Sequence, residues 1–86
     1  INNTNTTLSV SNAMVRVNTN SANVTLTLAP LANSRGDELI IYKATAANTL
    51  TIQPSDGQIS GQASVSITAA YGAVRLFCDG DHWIQV

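Results

Sequence analysis

Apolar and hydroxyl side chains alternate with period two along most of this chain, which points to strands before any other feature is weighed. In "NVTLTLAP", Val24, Leu26 and Leu28 face one way while Thr25 and Thr27 face the other. "NTLTIQP" sets Leu50 and Ile52 against Thr49, Thr51 and Gln53, and "SVSIT" sets Val65 and Ile67 against Ser64, Ser66 and Thr68. Weaker pairs stand earlier, Leu8 with Val10 in "TLSV" and Val15 with Val17 in "MVRV". The Ala-rich "KATAANTL" carries β-branched Thr45 and Thr49 and the turn-former Asn48, which argue against a helix. Such alternation suits a sheet with one wet face.

Two stretches break the pattern. "LIIY" (Leu39 to Tyr42) and "AVRLF" (Ala73 to Phe77) are apolar on both faces, as is the closing "HWIQV" with Trp83, Ile84 and Val86. A strand of that kind is either central in a two-layer structure or pressed against another subunit. So many in 86 residues favour a subunit contact.

Turn signals separate the strands. "LAPLANSRGD" carries Pro30, Asn33 and Gly36, "PSDGQISGQ" carries Gly57 and Gly61, and "CDGDHW" places Asp79-Gly80 between two apolar runs. Asp-Gly is a strong hairpin signal, because glycine takes φ > 0 without a steric penalty. The expected fold is all-β: a small antiparallel β-sandwich or prism-like module of about eight short strands, one domain over residues 1–86.

A domain of this size buries only about 60% of its unfolded surface, so its own core leaves a thin margin. Cys78 is the single cysteine, so no internal disulfide offsets that, and association is a remaining route to stability. Charged residues are 10% of the chain and the net charge is −1. Arg16, Arg35, Lys43 and Arg75 are scattered, so the electrostatic footprint of nucleic-acid binding is missing. No apolar run approaches the roughly 20 residues that span a bilayer, so membrane insertion is not expected. The opening at Ile1 rather than Met suggests a piece of a longer protein.

From Val24 onward, a threonine-alternating strand ends in Leu-Ala-Pro and a polar link leads through Gly-Asp into "ELIIYKA". Then come "NTLTIQPSDGQISGQASVSIT", "AAYGAVRLFCDG" and a terminal aromatic strand. This order resembles a small β-module found at or near the C-termini of bacteriophage tail-fibre, tailspike and head-fibre proteins. Thr51, Ile52, Pro54, Gly57, Ile59, Gly61, Asp79, Gly80 and Trp83 carry the resemblance jointly. The opening "TLSVSNAMVRVNTN" fits the module's usual first hairpin, and Cys78 departs from the small polar residue that is ordinary before the Asp-Gly. The resemblance implies a virion appendage, commonly a homotrimer, that works outside the cell. Its implied partners are other virion proteins and a host surface glycan or surface protein. It implies no enzyme and no cofactor.

The residues offer few chemical sites. Arg35-Gly36-Asp37 matches an integrin-binding tripeptide, yet it runs directly into Glu38 and a strand, so it reads as a charged turn. Asp79, Asp81 and His82 could ligate a cation, but a hairpin turn already explains Asp79 and Gly80, and no metal site is expected. Cys78 reads as inert packing. Trp83 reads as a plug of the core or of a subunit seam, and Gly57, Gly61, Asp79 and Gly80 as structural turn residues. If glycan is bound, Tyr71, Asn33, Ser55, Asp56 and Gln58 are the expected contacts. Sequons at Asn2, Asn5 and Asn23 follow from a composition rich in Asn and Thr.

Three functions fit these features. The first is a non-enzymatic structural and host-attachment module, a multivalent receptor-binding tip of a fibre or spike. The second is a trimerising cap without a receptor. The third is a fragment of a polysaccharide-degrading tailspike, disfavoured because Asp37, Glu38, Asp56, Asp79 and Asp81 supply few carboxylates and four of them adjoin glycines in turns.

Overall fold

The computed structural model describes residues 1, 3–8 and 13–86. Among the described residues eight strands run in the order β1 (Thr6–Thr7), β2 (Ala13–Val17), β3 (Val24–Thr27), β4 (Glu38–Lys43), β5 (Leu50–Gln53), β6 (Val65–Ile67), β7 (Ala73–Cys78) and β8 (Trp83–Gln85). A 3₁₀ turn over Leu31–Asn33 is the one helical element among the described residues. "KATAANTL" ends β4 at Lys43, bends over residues 45–48 and starts β5 at Leu50, with no helix.

The strands make two four-stranded sheets, one ordered β1-β3-β5-β6 and the other β2-β4-β7-β8. Both are mixed, which corrects the antiparallel expectation: β1/β3, β3/β5 and β2/β4 pair in parallel, while β4/β7, β5/β6 and β7/β8 are antiparallel. The reason lies in the connections. Asp79-Gly80 is a local hairpin and joins β7 to β8, but from β1 to β5 the chain crosses to the other sheet at every link. Each strand therefore returns beside its predecessor in the same direction. The expected first hairpin fails for the same cause, because β1 and β2 belong to different sheets. Val10 of the "TLSV" pair lies outside the described residues.

The later coils of this winding share one pitch. Val24 stands beside Leu50 and Ala13 beside Leu39. The same offset of 26 residues recurs where Thr49 donates its backbone N–H to Asn23 Oδ1 at 2.9 Å. One coil earlier, Thr25 donates its N–H to Asn5 Oδ1 at 2.8 Å across 20 residues. Asparagine carbonyls thus link successive coils where the ladder begins.

Period two then sorts the side chains. Val24, Leu26, Leu50, Ile52 and Ile67 of the first sheet meet Val15, Val17, Leu39, Ile41, Val74 and Leu76 of the second in one buried cluster. The β5–β6 link seals its side. Ile59, fully buried, makes a parallel bridge to Trp83, and Ser60 donates its N–H to Trp83 O at 2.8 Å. The edge of β8 is therefore covered by the protein's own loop, which removes one row of unpaired backbone groups. Trp83 is 1% exposed and fills the core beside that bridge.

The opposite end is closed by polar groups. Thr19 is fully buried, receiving Asn48 Nδ2 on its carbonyl at 2.8 Å and donating its hydroxyl to Ala47 O at 2.7 Å. Lys43 is also fully buried and gives its ammonium to Thr45 O. Among the described residues no helix is long and apolar enough to cross a membrane.

Candidate functional site

Chain topology separates the expected contact residues into two groups. The links after β3, β5 and β7 gather at one end. There Leu31 donates its N–H to Asp56 Oδ1 at 3.1 Å, and a Cβ on Gly57 would meet Leu31 Cδ1 at 2.8 Å and Asp81 O at 3.3 Å. Asn33, Ser55 and Gln58 are exposed on these same links, so four of the five residues share an end. Tyr71, 77% exposed, lies at the other, where its N–H bonds Lys43 O at 2.7 Å.

Arg35-Gly36-Asp37 is built into the fold. Gly36 has φ of 82° and donates its N–H to Cys78 O at 2.8 Å, while Cys78 donates to Asp37 O at 3.0 Å. The tripeptide is thus bonded to the end of β7 as it enters β4. Arg35 lies over Gly80, where a Cβ would meet its Cδ at 3.2 Å.

The "CDGDHW" turn is held by its own carboxylate. Asp79 Oδ1 accepts the N–H groups of His82 and Asp81, both at 2.8 Å. Those donors, His82 first, hold the Asp79 carboxyl below its ordinary value, because they stabilise the charged form. His82 Nδ1 stands 3.7 Å from Asp79 Oδ2. Among the described residues no three His, Cys, Asp or Glu groups converge as metal ligands. Cys78 is buried, its Sγ 3.9 Å from Leu31 O.

The outer face of the second sheet is the most distinctive surface. Register aligns Met14, Ile40 and Arg75 in one row, Arg16, Tyr42 and Ala73 in the next, and Glu38, Phe77 and Ile84 in a third. Met14 is 68% exposed, and Ile40, Tyr42, Phe77 and Ile84 are half-buried. One ion pair crosses this apolar field. Arg75 gives Nε to Glu38 Oε1 at 3.1 Å and Nη2 to Oε2 at 3.0 Å, and its guanidinium carbon lies 4.9 Å from the Phe77 ring centroid. The carboxylate raises the Arg75 pKa, first through these hydrogen bonds and then through its charge.

No family model matches this chain, and no curated protein does. Its surfaces must speak through their chemistry.

The outer face of the first sheet is the chemical opposite of the second. Thr7, Thr27 and Gln53 align across β1, β3 and β5, and Thr25, Thr51 and Ser66 across β3, β5 and β6. A groove of about 320 Å³ opens here, lined by Asn5, Thr6, Thr7, Thr25, Thr27 and Gln53. None of these was expected as a contact. The signal that reveals Thr25, Thr27 and Gln53 is the 26-residue offset between "VTLT" and "LTIQ", which stacks their outward residues in rows, and Thr7 joins that row at an offset of 20.

Proposed function

We propose that this chain is a non-enzymatic structural and host-attachment module of a virion fibre or spike, acting outside the cell as a homotrimer. The observation that carries the reading is the apolar outer face of β2-β4-β7-β8. Met14, Ile40, Tyr42, Phe77 and Ile84 are left partly open by a fold that has already filled its core. Burying them against identical copies removes apolar area from water at about 25 cal/mol per Å². It also supplies stability that so small a domain otherwise lacks.

On this reading the two sheets around one core form a small sandwich-like unit, and three units meet through their second sheets in a prism. The resemblance to the C-terminal β-module of phage fibres and spikes supports the same arrangement. The carboxylates support a non-catalytic role: Glu38 is committed to Arg75, Asp56 to the Leu31 N–H, and Asp79 to its own turn. Weak contacts from each copy, multiplied by three-fold presentation, would give firm attachment.

Labelled protein applied to a panel of bacterial cells tests the attachment role. Saturable binding to some species and not others is the expected result. Uniform failure would leave only the trimerising cap.

A further inference from the structure

We propose that the groove on the outer face of β1-β3-β5 is a saccharide site selective for neutral sugars. This rests on the attachment reading and assigns it a ligand class and a place. Among the described residues every lining side chain is a hydroxyl or a carboxamide, and none is titratable. A charged sugar or a nucleotide would find no counter-charge there, and an apolar ligand would desolvate hydroxyls without return. A neutral sugar offers paired donors and acceptors together with C–H faces, and threonine supplies the complement to both.

The hydrogen bonds already made leave that capacity open. Asn5 spends Oδ1 on the Thr25 N–H at 2.8 Å, so its amide donors have no partner among the described residues. Gln53 spends Nε2 on Thr27 Oγ1 at 3.2 Å, which leaves Oε1 as an acceptor. The side-chain hydroxyls of Thr7 and Thr25 can each donate and accept. These groups sit on adjacent coils in fixed register, so the site is set by the parallel ladder rather than by a loop. The groove volume is at the small end of ligand sites, which fits one or two sugar units and weak binding per copy. It also lies on the sheet not used by the proposed trimer contact, so assembly leaves it open.

Amide shifts of ¹⁵N-labelled protein, titrated with lactose, maltotriose and N-acetylchitobiose, provide the test, with 3′-sialyllactose and trigalacturonate as charged comparators. Shifts centred on Thr7, Thr25, Thr27 and Gln53 with a neutral sugar, weakened about tenfold in Thr25→Val and Thr27→Val at unchanged melting temperature, are expected. No shift at these four residues with any neutral sugar overturns the site. So does equal response to the charged sugars, or binding that the valine variants leave intact. Cell binding by the same variants separates the two claims. Valine variants that still coat cells sink the groove and spare the attachment reading. Wild-type protein that takes sugar in the groove and coats no cell does the reverse.

Discussion

Arg75 reaches diagonally from β7 to Glu38 on β4 and closes a two-pronged ion pair, at 3.1 and 3.0 Å, in the middle of an apolar sheet face. Arg75 is 53% exposed and Glu38 31%, so in a single copy the pair is screened by water and contributes little. Covered by a neighbouring copy, it becomes a satisfied pair inside an apolar contact, with Phe77 against the guanidinium. Ile40→Glu places a second carboxylate beside it. Because Ile40 faces outward, the variant is expected to stay folded while sedimenting as a monomer. Unchanged sedimentation would move the contact elsewhere.

Trp83 is predicted to be the most costly aromatic to truncate. It is 1% exposed, and Trp83→Ala should lose about 3 to 5 kcal/mol in denaturant unfolding. Its Nε1 is the one buried side-chain nitrogen or oxygen without a hydrogen-bond partner among the described residues. An unmet buried donor costs about 1 to 3 kcal/mol. Trp83→Phe removes that burden with part of the volume, so it should keep more than half of what the alanine variant loses. Equal losses in the two would mean the indole nitrogen is satisfied after all.

Two glycines should separate backbone strain from collision. Gly36 and Gly57 both have positive φ, 82° and 69°. A methyl on Gly36 meets nothing within 4 Å, whereas one on Gly57 meets Leu31 Cδ1 at 2.8 Å. Gly36→Ala should cost about 1 to 2 kcal/mol, the penalty of the left-handed conformation. Gly57→Ala should cost clearly more, because Leu31 must move as well. Thermal unfolding of the pair gives the comparison, and a reversed order would contradict the packing of this link.

Asp79 should make the fold sensitive to acid. Its folded pKa lies below its ordinary 3.8, so its stabilising effect is present above that value and is lost as pH falls below it. Asp79→Asn keeps an acceptor oxygen for the His82 and Asp81 N–H groups but does not titrate there. The variant should therefore show a flatter melting temperature between pH 4 and pH 2, as read by calorimetry. A slope identical to wild type would assign the effect to another carboxylate.

Much of the strand content was legible from alternation. Val24, Leu26, Leu50 and Ile52 point inward, and their threonine neighbours point out, as period two requires. Pairing direction was not legible, since alternation is the same in parallel and antiparallel sheets and the Asp-Gly signal of β7–β8 speaks only for its own hairpin. The missed clue was the 26-residue offset between "NVTLT" and "TLTIQ", which carries the coil and the β3–β5 side of the polar groove. "LIIY" illustrates the limit from the other side. Leu39 and Ile41 enter the core while Ile40 and Tyr42 stay on the surface, a choice that both apolar faces of the strand leave open in the sequence. Lys43 gave no sign at all: a lysine at a strand end is ordinarily solvated, and here it is enclosed with Thr45 O as its acceptor.

The mass of the protein under native conditions tests the central claim most directly. Light scattering at micromolar concentration should return about three times the 9.0 kDa of one chain, falling to one chain mass in Ile40→Glu. A wild-type protein that stays at one chain mass would show that the outer face of β2-β4-β7-β8 is stable in water uncovered, and the assembly proposed from it would fall.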